Sequence, residues 1–148
     1  MLQLETLLVP TDFSADAETA LNEAISLAKS LGSRIHLIHI YHLPAYAAAP
    51  WGYSYPTDLF TEVRQHVAAR MAEEQKRVEA EGISTSTEVV EGAPSESIVE
   101  CAGRIGADLI VMGTRGLTGI KHVVLGSVAE RTLRHAPCPV MTVKAPEE

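Results

Sequence analysis

The sequence predicts an α/β domain, an open five-stranded parallel sheet with helices on both faces, and three observations carry that reading. Short apolar, β-rich runs alternate with amphipathic stretches of helical spacing along the 148 residues. The run at 34–41 is apolar on both faces, as expected of a strand in the middle of a parallel sheet, and 108–113 reads as a second buried strand. The resulting order, β-α-β-α-β-α-β-α-β, joined by right-handed crossovers, covers the sheet on both sides.

Each element has its own signal. LETLLV (4–9) reads as the first strand, ended by the turn PTDFS, which also suits a helix cap. Ala17, Ala20, Leu21, Ala24, Ile25, Ala28 and Leu31 recur at three- and four-residue spacing, predicting a helix over 14–31 with Gly32 just past its end. RIHLIHIY (34–41) is the second strand. Residues 42–58 hold three prolines, the only tryptophan and three of the four tyrosines, and read as a long loop. Asp58 caps a second helix with the apolar stripe Phe60, Val63, Val67, Met71 and Val78, closed by Gly82. STSTEVV (84–90) is more polar and suits a sheet edge. Pro94 starts and Gly106 ends a third helix. DLIVMG (108–113) is buried strand, a short helix runs from about Ser127 to His135, and PCPVMTV (137–143) is the last strand. The length suits one domain spanning 1–148.

Composition narrows the function. Hydrophobic residues make up 46% and charged residues 21%, typical of a globular protein. The 12 basic against 19 acidic residues give a net charge of −7, which argues against nonspecific binding to nucleic acid or anionic membrane. No apolar run approaches a membrane span. The N-terminus has no basic n-region and carries Glu5 and Asp12 early, and Cys101 and Cys138 form no C-x-x-C pair. The expected location is the cytoplasm.

The chemistry concentrates in VMGTRGLTGIKHVVLGSVAER (111–131), where four glycines fall within fourteen positions after an apolar strand. Glycine loses more freedom on ordering than any other residue, so a cluster suggests that backbone must approach something closely. Neither G-x-x-x-x-G-K-[ST] nor G-x-G-x-x-G is present. What stands there is Gly113-x-x-Gly116, nine residues, then Gly126-Ser127 opening a helix. A helix N-terminus offers unpaired N–H groups and a positive dipole end, both suited to a phosphate. Two readings stand on the residues alone: a phosphate cradle, or a surface loop with a serine cap. In doubly wound sheets ligands bind outside the carboxyl ends of the strands where the winding reverses, and both PTD and the glycine cluster follow a strand's carboxyl end.

The segment resembles the nucleotide loop of the universal stress protein family, whose pattern is G-x-x-G, nine residues, then G followed by S or T. VPTDFS, the histidine-containing strand LIHI, EGAP, IVMGTRG and CPVMTV strengthen the resemblance, which covers nearly the whole chain. It implies a Rossmann-like fold of the adenine-nucleotide-binding type and the ATP-binding branch of the family, with Mg²⁺ or Mn²⁺ as a possible companion of the nucleotide. By that resemblance Gly113, Gly116, Gly126, Ser127 and the Val128 amide line the phosphate and ribose region. Asp12 accepts hydrogen bonds from the adenosine part, the backbone of Ile40 reads the adenine edge, and Pro10, Thr11, Ala93 and Met112 wall the base. Asp12 has a second reading as the cap of the first helix, a task Ser14 could take instead.

His36, His39 and His42 are spaced by three, but on a strand His39 then faces away from the other two, so no metal site is expected from them. His39 reads as a hydrogen-bonded core histidine, and Cys101 and Cys138 as structural. Arg115, Lys121 and His122 either neutralise phosphate or are solvated. No paired carboxylates or motif-placed base accompany Asp12, so the expectation is a nucleotide-dependent regulatory module of the stress response with no catalytic residues and at most weak hydrolysis. The alternatives are a slow ATP hydrolase or nucleotidyl transferase, and a dimeric adaptor that binds no nucleotide. The last strand, Val140–Val143, is apolar on both faces and needs covering at a sheet edge. The resemblance implies that it pairs with its twin in a homodimer.

Overall fold

The computed structural model describes residues 3–42, 57–116 and 125–146. Nine elements alternate strictly: β1 (Thr6–Pro10), α1 (Ala15–Leu31), β2 (Arg34–Tyr41), α2 (Thr57–Glu79), β3 (Thr85–Glu91), α3 (Pro94–Ile105), β4 (Leu109–Gly113), α4 (Ser127–His135) and β5 (Val140–Val143). The strands form one five-stranded sheet in the order β3-β2-β1-β4-β5. Every pairing is parallel. The expected fold class is therefore the observed one, with the polar strand β3 and the short β5 at the two edges.

Alternation along the strands divides the core in two. Leu7, Val9, Ile35, Leu37 and Val111 point to one face, where α1 and α2 cover them with Ala20, Leu21, Ala24, Met71 and Val78. Leu8, Ile38, Ile110 and Met112 point to the other, against Ile98, Cys101 and Ala102 of α3 and Ala129 of α4. Both faces of β1 are buried, which explains its unbroken apolar run. Gly32 and Gly106 end α1 and α3 in the left-handed conformation, as their positions after the last periodic residue predict.

Two expected stripes are trimmed at their ends. Leu31 is 54% exposed because it closes α1 beyond the sheet, and Val63 is 42% exposed while Met71 and Val78 are buried. Only the second half of α2 therefore sits firmly on the sheet. Asp58 does not cap α2, because the helix already includes Thr57. The 43–56 stretch of the expected loop lies outside the described residues.

The winding reverses between β1 and β4, the neighbours from which the sheet grows in opposite directions. At that point the chain leaves both strands at their carboxyl ends and opens a crevice.

Candidate functional site

A cleft of about 930 Å³ occupies this switch point. Pro10, Thr11 and Asp12 border it after β1, Ile40 after β2, Met112, Gly113 and Gly116 around the end of β4, and Gly126, Ser127 and Val128 at the start of α4. Ten of the eleven residues expected from the sequence thus meet in one place. Ala93 does not line the cleft; it is the N-cap of α3, and its neighbour Pro94 lines the cleft instead. Thr114, Arg115, Ile98 and His42 are further lining residues.

The turn after β1 is built to orient Asp12. Ser14 caps α1, its side chain accepting from the Ala17 N–H at 3.2 Å, so Asp12 is not the helix cap. Asp12 Oδ1 accepts from the Ser14 N–H at 2.9 Å in an Asx turn. Between them Phe13 adopts φ 64°, a left-handed conformation that costs a non-glycine residue about 1–2 kcal/mol. Its ring stacks on His39 at 4.8 Å, and the Arg70 guanidinium lies 4.1 Å from the Phe13 ring centroid. His39 in turn bonds the Thr11 carbonyl oxygen through Nδ1 at 2.8 Å. The expected hydrogen-bonded histidine thus buttresses the turn that carries Asp12.

The glycines are bare for reasons the sequence did not disclose. Gly126 has φ −71° and ψ 164°, ordinary extended backbone, so no left-handed turn requires glycine there. A Cβ on it would stand 2.9 Å from the Thr114 carbonyl oxygen, which already accepts the Gly126 N–H at 2.6 Å. A Cβ on Gly113 would stand 2.8 Å from Asp16 Cβ, and one on Gly116 would stand 2.8 Å from Asp12 Oδ2. Close approach is the common cause, as expected, but at Gly113, Gly116 and Gly126 alike the partners are other parts of the chain. With Gly126 as its cap, α4 has no side-chain cap bond among the described residues, and its N-terminus opens on the cleft.

Asp16 was missed. Its carboxylate is buried and gathers the Thr114 hydroxyl at 3.0 Å, the Arg115 N–H at 3.1 Å and Nε at 3.2 Å, and the Ala145 N–H at 3.0 Å. Burial by itself would raise its pKa, but the bonds from Arg115, Ala145 and Thr114 together pull it below the usual carboxylate value. One side chain in the first turn of α1 thus ties down the exit of β4 and the segment after β5. Arg115 turns to Asp16 rather than lying solvated. Lys121 and His122 lie outside the described residues.

Against this geometry, the model of the universal stress protein family matches residues 3–144. The chain belongs to the universal stress protein family. Universal stress protein MJ0531 of Methanocaldococcus jannaschii is 36% identical over 143 residues, covering 96% of this chain and 83% of that one. The solved structure of the hypothetical protein MJ0577, a structural-genomics test case for assigning biochemical function, superimposes with a TM-score of 0.86 at 28% identity, covering 99% of both chains. A universal stress protein solved in complex with cAMP superimposes with a TM-score of 0.73 at 25% identity, covering 97% of this chain and 99% of that one.

In this universal stress protein the cleft falls within the roughly 300–1,000 Å³ usual for small-molecule and cofactor sites. Its walls offer the three things a nucleotide needs: apolar surface from Ile40, Ile98 and Met112, one carboxylate at Asp12, and the open N-terminus of α4. The cleft thus combines apolar walls with one carboxylate and one helix N-terminus. No helix among the described residues is long and apolar enough to cross a membrane.

Proposed function

We propose that the cleft binds ATP and that the protein acts as a nucleotide-dependent regulatory module of the stress response, with little or no hydrolysis. The observation that carries this reading is the N-terminus of α4, which has a glycine as its cap residue, no side-chain cap bond among the described residues, and an opening on the cleft. The phosphates lie against Gly116, Gly126, Ser127 and the Val128 amide, with a divalent ion such as Mg²⁺ or Mn²⁺ accompanying them. Asp12 accepts from the adenosine part, and the Ile40 backbone reads the base edge. Pro10, Thr11, Met112 and Gly113 shape the walls around them, with Pro94 where Ala93 was expected. The relative solved with cAMP supports an adenine nucleotide as the ligand class. The chain is one domain over 1–148 and works in the cytoplasm.

Calorimetry with ATP, adenosine and GTP tests the assignment, beginning with mass spectrometry of any nucleotide released from the denatured protein. ATP is expected to bind more tightly than GTP, and Asp12→Ala to weaken adenosine and ATP alike by about tenfold, the loss of one charge-assisted hydrogen bond. Equal affinity for ATP and GTP would remove the base-reading role of Ile40, and sustained turnover at about 1 s⁻¹ or faster would make the protein an enzyme.

The edge strand β5 is proposed to pair with its twin in a homodimer, since Val140 and Val143 are only partly covered within one chain. Val140→Asp with Val143→Asp is expected to convert dimer to monomer in sedimentation velocity. A dimer that survives both changes places the interface elsewhere.

A further inference from the structure

On the face of the sheet that α3 covers, outside the residues that border the cleft, three metal-ligating side chains from three elements converge. His36 of β2, Glu88 of β3 and Cys101 of α3 place one ligand atom each within 4.8 Å of the others. His36 Nε2 lies 3.0 Å from Glu88 Oε2, and Cys101 Sγ lies 3.6 Å from the same oxygen. A tetrahedral ion with bonds of about 2.0–2.3 Å holds its ligand atoms about 3.3–3.8 Å apart, so two of the three separations already approximate that figure.

Two further contacts suit such a site. The other ring nitrogen of His36, Nδ1, is 2.6 Å from Ser86 Oγ, a partner that would hold its hydrogen and leave the Nε2 lone pair free for a metal. Arg104 Nη2 donates to Glu88 Oε1 at 2.6 Å and to Oε2 at 2.8 Å. Its side chain is 52% exposed, free to keep Oε1 as an outer-sphere partner while Oε2 turns to an ion. A hollow of about 290 Å³, bordered by Thr6, Arg34, His36, Ser86 and Ile105, adjoins His36.

We propose that His36 Nε2, Glu88 Oε2 and Cys101 Sγ form a binding site for a thiophilic divalent ion of the zinc class, with a solvent molecule as fourth ligand. On binding, the Sγ–H bond of Cys101 breaks, the metal–sulfur bond forms and the proton passes to solvent. The carboxylate and the thiolate then balance the charge of the ion. Binding through a buried cysteine sulfur calls for an ion with strong sulfur affinity, able to displace the thiol proton. Mg²⁺ and Ca²⁺, which take oxygen ligands, are excluded by the same donor set. The sequence expected no metal at the histidine triplet, and His39 and His42 take no part; the partners of His36 come from β3 and α3.

The test uses the untagged full chain, reduced and without nucleotide, titrated with Co²⁺ and then Zn²⁺. One equivalent of Co²⁺ should develop a near-ultraviolet thiolate-to-cobalt charge-transfer band with tetrahedral visible bands, and Zn²⁺ should abolish both. Cys101→Ser should remove the charge-transfer band, and Glu88→Gln should weaken Zn²⁺ binding at least tenfold in calorimetry. Cys138→Ser should change neither. Far-ultraviolet circular dichroism reports whether each variant is folded, and the near-isosteric Glu88→Gln keeps the proposal testable if Cys101→Ser is not. Absence of a thiolate band in the parent, a band that survives Cys101→Ser, or unchanged Zn²⁺ affinity in folded Glu88→Gln would overturn the site. The last outcome would leave an Arg104–Glu88–His36 ion-pair network and nothing more.

Discussion

Of the helices that begin on the cleft, α1 and α4 treat their N-termini in opposite ways. α1 is closed by its own chain: Ser14 accepts the Ala17 N–H, and the first-turn acid Asp16 is buried against Thr114, Arg115 and Ala145. α4 has Gly126 as its cap, with no side-chain cap bond among the described residues, and its first-turn acid Glu130 pairs with Arg134. The dipole of α1 is thus met by a fixed internal carboxylate, whereas that of α4 is left open toward the cleft. The contrast separates the end that holds the loop from the end that we propose receives the phosphates.

The largest effect should come from removing the internal anion. Asp16→Ala leaves Arg115, whose side chain is only 16% exposed, without its buried partner, and it frees the Thr114 hydroxyl and the Ala145 N–H as well. Breaking a buried ion pair from one side costs about 3–5 kcal/mol, and the loss should appear as a lowered urea midpoint with unchanged m-value. The pH dependence has a definite sign. Because the folded pKa of Asp16 lies below its unfolded value of about 3.9, its contribution is full above that pH and is lost as pH falls through the folded value. Asp16→Asn should therefore flatten the acid limb of stability while lowering the neutral plateau. A variant as stable as the parent at pH 7 would show that the carboxylate does not secure the loop.

Next in size is the open end. Replacing Ser127 with proline removes one N–H and the hydroxyl at the first helical position, where proline is well tolerated. The preceding Gly126, at φ −71° and ψ 164°, already has the extended backbone that proline demands of its neighbour. ATP binding should weaken about tenfold to a hundredfold, corresponding to a charge-assisted bond of roughly 1.5–3 kcal/mol, while adenosine binds as before. Gly126→Val cannot make this distinction, because its side chain meets the Thr114 carbonyl whether or not a phosphate is present. Undiminished ATP affinity in a folded Ser127→Pro protein would remove the phosphate from α4.

The same contrast shows what could be read in advance. Strand and helix order, the polar edge strand and the glycine helix ends follow from local patterns, because period and punctuation are local properties. The cleft residues were legible where a motif or a strand end marks them, as at Asp12, Gly116 and Ser127. Asp16 was not, since an acid in a helix's first turn looks the same whether solvated or joined to residues 98 and 129 positions away. The three-element cluster at Glu88 was invisible for the same reason. At Gly126 the sequence does not separate close approach to a ligand from close approach to Thr114, because both select the same residue.

The smallest effect tests whether α1 is truly closed. Ser14→Ala removes the side-chain cap bond to the Ala17 N–H, which costs about 1 kcal/mol, or roughly 2–4 °C in Tm for a chain of this size. Asp12 keeps its acceptor contact with the residue 14 N–H, which alanine retains, so the turn need not rearrange. ATP affinity should then stay within twofold of the parent, because the α1 dipole remains faced by Asp16 even with its cap gone. Ala17 lines the cleft, however, and losing the serine acceptor exposes its N–H. An ATP affinity that rises with Ser14→Ala would mean that this N–H now reaches the ligand. A tenfold fall in affinity would mean that α1's cap belongs to the nucleotide site, and the division between a closed end and an open end would not hold.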